Sequence, residues 1–185
     1  MHRHLGTEHR GRRVQLVHRE LGRVHASGQP RREPLAGRDR LGDPVDTARL
    51  IDYLTEAFGA TEISRLTSPD GRVEHAEVRI GDAIVMMFDA APGWPPTPSF
   101  LRLYVEDADE VHHKAVAVGG TSVTEVTHLF FGDRVGRVRD PLGNVWWLQA
   151  RVEEVSPQEM ERRLSDPVFT EAMRYVQDAD FFGHG

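Results

Sequence analysis

The fold is decided by the stretch from Phe100 to Ala150, which reads FLRLYVEDADEVHHKAVAVGGTSVTEVTHLFFGDRVGRVRDPLGNVWWLQA. An apolar strand pattern opens it, and a helical segment follows that begins with acidic residues and ends at Gly119-Gly120. We predict a strand over Phe100–Val105, a helix over Asp107–Val118, and strands over Ser122–Thr127, Gly136–Arg139 and Val145–Ala150. The stretch therefore predicts one strand–helix–strand–strand–strand unit, with Asp140-Pro141-Leu142-Gly143-Asn144 as its last turn.

An earlier part of the chain repeats this order. Leu50, Leu54 and Phe58 recur at helical spacing, which predicts a helix that begins at Asp46 or Thr47. We predict strands over Glu62–Leu66, Val73–Ile80 and Ala83–Phe88. The opening strand of this first unit is missing or displaced. A repeated unit of this kind predicts a fold built from two similar modules.

Charge is divided unevenly along the 185 residues. Residues 1–45 carry ten arginines and five acidic residues, whereas the rest of the chain carries an excess of acidic residues, and the overall net charge is −6. An acidic body repels phosphate backbones, so we expect no nucleic-acid partner for it. The chain has no cysteine, which excludes disulfides and Cys-ligated metal sites. We also expect no membrane segment and a cytoplasmic location.

The chain is expected to divide into three parts. Residues 1–45 form an Arg-rich head, predicted to be disordered or loosely packed except for a possible strand over Val14–Val17. Residues 46–152 form the domain, and we expect residues 46–150 to fold without the head. Residues 153–185 form a helical extension whose helices start at Ser156-Pro157 and Asp166-Pro167. Phe181-Phe182 is expected to anchor this extension on the body.

Several short motifs, taken together and in order, carry a family resemblance. They are Phe58-Gly59-Ala60, His75–Asp82, Tyr104-Val105-Glu106-Asp107, Gly132-Asp133-Arg134-Val135-Gly136 and Asp140–Trp146. The sequence resembles the vicinal oxygen chelate superfamily, which groups glyoxalases, bleomycin-resistance proteins and extradiol dioxygenases, and within it the PhnB-like branch. The resemblance implies an α+β fold, with two βαβββ modules forming a curved mixed sheet around a cavity and a C-terminal helical extension. It also implies a homodimer.

The resemblance implies four positions where metal-dependent members carry His, Gln or Glu ligands, on the first and last strand of each module. Three of these positions hold Met86, Phe100 and Trp147 in this sequence. A thioether and two aromatic rings do not bind a hard or borderline divalent cation. We therefore predict no metal site and no cofactor.

The predicted cavity has an aromatic wall. Ile84 and Val145 and the candidate ligand-binding residues are expected to line it; those candidates are Met86, Phe88, Phe100, Arg102, Tyr104, Trp147 and Gln149. Because adjacent strand residues face opposite sides, Trp147 should face the cavity and Trp146 the helices. This pattern predicts a site for a small aromatic or cationic molecule. The alternative interpretation is a collapsed cavity that these side chains fill as core.

Enzymatic activity is the other interpretation. His75 and Glu77 lie two residues apart on one strand face, so they could form an acid–base pair or bind a nonstandard metal, and Tyr104 is a third catalytic candidate. The enzyme would be lyase- or isomerase-like, or dioxygenase-like. Alternatively, the two side chains form a surface ladder of salt bridges with Arg79 and have no catalytic role. A third possibility is an accessory domain that contacts another protein through the head or the C-terminal helices.

Other histidines are weaker candidates. His112 and His113 are adjacent on the predicted helix, so they cannot form an i,i+4 metal pair, and both are expected to face solvent. His128 lies in a loop beside apolar residues and is a minor candidate for a ligand contact.

Overall fold

The computed structural model describes residues 13–16, 47–95 and 97–181. Its strands are β1 Arg13–Leu16, β2 Thr61–Thr67, β3 Val73–Ile80, β4 Ala83–Met87, β5 Phe100–Tyr104, β6 Thr121–His128, β7 Asp133–Arg139 and β8 Val145–Arg151. Its helices are α1 Thr47–Phe58, α2 Ala108–Ala117, α3 Pro157–Leu164 and α4 Pro167–Gln177. No helix in the described part of the chain is long and apolar enough to cross a membrane.

The strands form two open sheets. One has the order β1-β5-β8-β7-β6 and the other the order β2-β3-β4. Strands β5 and β8 are parallel, and the other paired strands are antiparallel. The predicted α+β fold with mixed pairing and C-terminal helices is confirmed. Strand β7 begins at Asp133, earlier than the predicted Gly136, because its pairing with β8 continues to Arg151.

The head contributes one strand to the larger sheet. The strand predicted over Val14–Val17 is present as β1, one residue earlier, and it pairs antiparallel with β5, with Leu16 opposite Leu101. The domain therefore uses a strand from outside residues 46–152. The predicted disorder or loose packing of the rest of the head concerns residues 1–12 and 17–45, which lie outside the described residues.

The main core lies between helices α1 and α2 and one face of the sheets. Trp146 is buried there, and its ring centroid lies 5.0 Å from that of Phe58. The Trp146 indole donates to Asp140 Oδ2 at 2.9 Å. Asp140 also accepts the backbone N–H groups of Leu142 and Asn144, which fixes the predicted turn. The turn therefore holds the largest core side chain in place.

The C-terminal helices begin where the sequence predicts. Ser156 accepts the backbone N–H of Glu159, and Asp166 accepts that of Val168, so each helix has its expected N-cap. Helix α4 covers the face of the larger sheet that is opposite the main core, where Val176 packs against Leu129 and Val135. Phe181 contacts the body as predicted, whereas Phe182 lies outside the described residues.

The expected position of His112 is wrong. Only 2% of its surface is exposed, and its Nε2 lies 3.1 Å from both the backbone oxygen of Thr124 and the hydroxyl of Ser122. Gly136 makes room for this ring, since a Cβ there would lie 3.2 Å from His112 Cδ2. Two polar partners compensate for the burial of the imidazole. His113 is exposed, as predicted.

Candidate functional site

A row of four side chains crosses the larger sheet on the face beneath α4. In the strand register, Arg102 lies opposite Trp147, Trp147 opposite Arg137, and Arg137 opposite Thr124. We call these residues the Trp147 row. The predicted strand phase is confirmed, because Trp146 points into the core while Trp147 lies on this other face.

Two guanidinium groups lie over the Trp147 ring. The Cζ atoms of Arg137 and Arg102 are 3.9 Å and 4.9 Å from its centroid, within the range of cation–π attraction. Arg137 is 4% exposed, and its Nη1 donates to the backbone oxygen of Val176 at 2.5 Å. Burial, together with the charge of Arg102, lowers the pKa of Arg137 to about 10. No described carboxylate forms an ion pair with either arginine.

Three polar atoms of the row are buried without a hydrogen-bond partner in the described part of the chain. They are Thr124 Oγ1, Arg137 Nε and Trp147 Nε1. An indole N–H and a guanidinium N–H are donors only, and a hydroxyl can donate. Buried polar groups are normally satisfied. The row therefore offers donors for which the described residues provide no acceptor.

Phe181, the last described residue, lies on this row. The Phe181 ring is parallel to Trp147, with an interplanar angle of 9° and a centroid distance of 6.2 Å. Its centroid is also 5.8 Å from that of Phe100 and 5.1 Å from Arg137 Cζ. Beside Thr124, an open groove of about 720 Å³ runs between β6 and α4 and reaches Asp178 and Ala179. The groove gives access to one end of the row.

Gln149 and Tyr104 form the next position along the same strands. They lie opposite each other, and Gln149 donates to the buried carboxylate of Asp133, which also accepts from Arg151. The amide of Gln149 is therefore held by the protein. Tyr104 is partly buried and lies at the border of the site.

The structure places Met86 and Phe88 apart from the Trp147 row. Their side chains are 61% and 50% exposed on the smaller sheet, and Phe88 packs against Trp94 with a centroid distance of 6.3 Å. Among the described residues, the Phe88 ring pairs with Trp94 and not with Trp147. The predicted ligand-binding residues therefore fall into two groups on two sheets.

His75 and Glu77 do contact each other. His75 Nε2 lies 3.2 Å from Glu77 Oε1, and both side chains are about one-third exposed, at 28% and 30%. They lie on the smaller sheet, where Glu77 is opposite Met86. The described residues contain no group of three His, Asp or Glu side chains able to hold a metal. His128 contacts Glu153 at 2.9 Å, outside the row.

The fold and this site can now be compared with known proteins. Residues 45–148, more than half of the chain, match the family model of the Glyoxalase/Bleomycin resistance protein/Dioxygenase superfamily. The chain belongs to this superfamily. An uncharacterized protein of Mycobacterium bovis is 37% identical over 131 residues, which is 65% of this chain and 86% of that protein. The match therefore spans most of the length of the mycobacterial protein.

Two solved structures are similar to this chain, and the first of them shares its fold. Protein PA1353 from Pseudomonas aeruginosa is 20% identical with a TM-score of 0.51, over 60% of this chain and 92% of that one. A PhnB protein from Bacillus cereus is 18% identical with a TM-score of 0.46, over 58% and 92% of the two chains.

A divalent metal of the kind bound by some superfamily members does not fit the corresponding residues here. The positions that the family resemblance assigns to metal ligands hold Met86, Phe100 and Trp147. The first lies on one sheet, and the other two lie beside Phe181 on the other. None supplies an oxygen or imidazole donor.

Sequence reasoning missed Arg137 and Thr124. Counting back from the Asp140–Asn144 turn places Arg139 opposite Val145 and hence Arg137 opposite Trp147. The position of Arg137 could therefore be predicted from the turn. The position of Thr124 could not be counted in this way, because the pairing of β6 with β7 is irregular on both sides of it.

Proposed function

We propose that the protein binds a planar aromatic small molecule on the Trp147 row, without a metal. The observation that supports this function is the indole ring of Trp147, which lies between two arginines in a row where three polar atoms have no partner among the described residues. Apolar and aromatic walls with a few placed polar groups are typical of small-molecule sites. The sequence predicts an aromatic or a cationic ligand. The positive charges of Arg102 and Arg137 would repel a cation and therefore favour the aromatic ligand.

The contribution of Trp147 can be measured by calorimetric titration with a panel of planar aromatic compounds. Trp147→Ala should weaken binding of the compounds that bind by about tenfold or more, since it removes both the stacking surface and an indole donor. Trp94→Ala is the matched control, because Trp94 lies 59% exposed near the smaller sheet and should leave binding unchanged. Equal losses in both variants, or none in either, would contradict the proposal.

A second candidate function is a small-molecule enzyme of the lyase, isomerase or dioxygenase-like kind that uses the His75–Glu77 pair. The 3.2 Å contact between the two side chains favours this function, because one side chain of a contacting pair can assist the other in proton transfer. Turnover of a panel of small carbonyl compounds should then be lost in Glu77→Gln and retained in Arg79→Gln. If both variants match the unmodified protein, this candidate is wrong. A homodimer and a cytoplasmic location stay predictions.

A further inference from the structure

Phe181 contacts the groups that a planar ligand would contact. Its ring is parallel to Trp147, meets Phe100 with its edge, and lies within cation–π distance of Arg137. A phenyl ring has no hydrogen-bond acceptor, however, so Trp147 Nε1 and Arg137 Nε have no partner among the described residues. Phe181 thus occupies the apolar part of the site, whereas the described residues leave some of its hydrogen-bonding groups unpaired.

The unfilled half is electropositive. Arg102 and Arg137 both lie over one indole ring, and the charge of Arg102 acts against that of Arg137. No described carboxylate pairs with them. Two neighbouring cations and unpartnered donors attract an oxyanion, since hydrogen bonds between a guanidinium and an anion are stronger than neutral ones. A buried arginine that has no counter-ion among the described residues is well matched to a ligand that brings one.

We infer, on the basis of the proposed function, that the ligand is an aromatic oxyanion whose oxygens accept from Arg137, Trp147 and Thr124 while its ring replaces Phe181 on Trp147. A ring that carries a carboxylate has both parts that the site requires. Phe181 then acts as an intramolecular competitor, and the site opens when the ligand displaces it.

The position of Phe181 in the chain allows this displacement. Helix α4 ends at Gln177, and the residues from Asp178 to Phe181 continue without helical structure. The helix is held by contacts of its own, because Val176 packs in an apolar cluster and the Tyr175 hydroxyl accepts the backbone N–H of Glu125 at 2.9 Å. Residues 178–181 can therefore leave the row while α4 stays in place, with loss of the 3.4 Å hydrogen bond from Arg139 Nη2 to the backbone oxygen of Asp180.

Two probes of the same shape, one anionic and one neutral, test whether the site prefers an anion. Naphthalene-2-carboxylate and its neutral carboxamide should be titrated into the full chain by calorimetry. The carboxylate should bind about tenfold more tightly, because it adds charge-assisted hydrogen bonds to the same stacking. Arg102→Gln and Thr124→Val should reduce this preference, and Arg79→Gln, an exposed arginine on the other sheet, should not. Arg102→Gln and Thr124→Val keep the test independent of the buried Arg137.

Phe181→Ala tests the competition. It should tighten binding of both probes several-fold, since no ring has to be displaced, whereas Phe169→Ala removes a ring from the same extension away from the row and should change nothing. Weaker binding in Phe181→Ala would show that the ring is a wall of the site and would overturn the inference. Equal affinity for the two probes would refute the oxyanion while leaving the proposed function intact. If neither probe binds the unmodified chain or Phe181→Ala, the proposed function itself is wrong.

Discussion

The two modules place equivalent sheet faces in very different surroundings. On the smaller sheet, Ile84, Met86 and Phe88 leave 46%, 61% and 50% of their surfaces exposed. On the larger sheet, α4 and Phe181 cover the corresponding face, so that Arg137 is only 4% exposed. The repeated module thus provides two similar surfaces, and the C-terminal extension turns only one of them into a buried, charged site.

The largest expected effect compares two neighbours on β8. Trp146→Ala should lower the free energy of unfolding by about 3–5 kcal/mol, because it empties a fully buried position and removes a bond to Asp140. Trp147→Ala should cost about 1–2 kcal/mol, since that ring is only partly buried. Urea unfolding of both variants measures the difference. The reverse order would mean that the strand phase is inverted.

Removal of the head should have the next largest effect. A chain that begins at Leu41 lacks β1, so β5 becomes an edge strand of the larger sheet. Loss of the backbone pairing between β1 and β5 should lower the free energy of unfolding by about 2–3 kcal/mol. We still expect this shortened chain to fold, because the described residues of the main core all lie from Leu50 onward. A shortened chain that stays molten by near-UV circular dichroism would show that the head is essential to the domain.

A smaller effect is expected where α4 packs on the sheet. Val176→Ala removes two methyl groups from the cluster with Leu129 and Val135, at a cost of about 1–2 kcal/mol. Hydrogen exchange should speed up in α4 more than in α1, because α4 packs outside the main core. Val168→Ala is the control, as Val168 is 72% exposed on the same helix. Equal acceleration in both helices would show that the extension and the core unfold together.

The smallest effect concerns the extension alone and depends on pH. Hydrogen bonds from Arg162 and Arg163 lower the pKa of the Glu159 carboxyl to about 2. A lowered pKa stabilises the folded state above the ordinary value of 4.5, and this contribution is lost as the pH falls through about 2. Glu159→Gln should therefore unfold at slightly lower urea than the unmodified chain at pH 7, and the gap should close below pH 4.5. A gap that does not change with pH would exclude the ion pairs as its cause.

The fold could be predicted from the sequence because local signals agree with one another. The Asp140–Asn144 turn, the Ser156 cap and the alternation of β8 each determine an element and its phase. The site could be predicted only in part. Trp147 and Arg102 follow from strand alternation, but the separation of Met86 from them depends on how strands divide between two sheets. Alternation within one strand carries no information about that long-range pairing.

Burial of His112 and the position of Phe181 show the same limit. His112 is buried because Gly136 on a distant strand leaves space for its ring. Phe181 covers Trp147 because two helices bring the chain back across the sheet. The sequence predicts the helices, but the surface on which their end lies depends on tertiary packing.

The three tryptophans allow the central claim to be tested directly. Trp94 lies near the exposed face, Trp146 donates to Asp140 in the core, and the indole N–H of Trp147 has no partner among the described residues. In a ¹⁵N–¹H NMR titration with naphthalene-2-carboxylate, the Trp147 indole signal should shift to the position of a hydrogen-bonded N–H, while the Trp94 and Trp146 signals should stay in place. A shift of the Trp94 signal alone would place binding near the smaller sheet and contradict the assignment of the site to the Trp147 row.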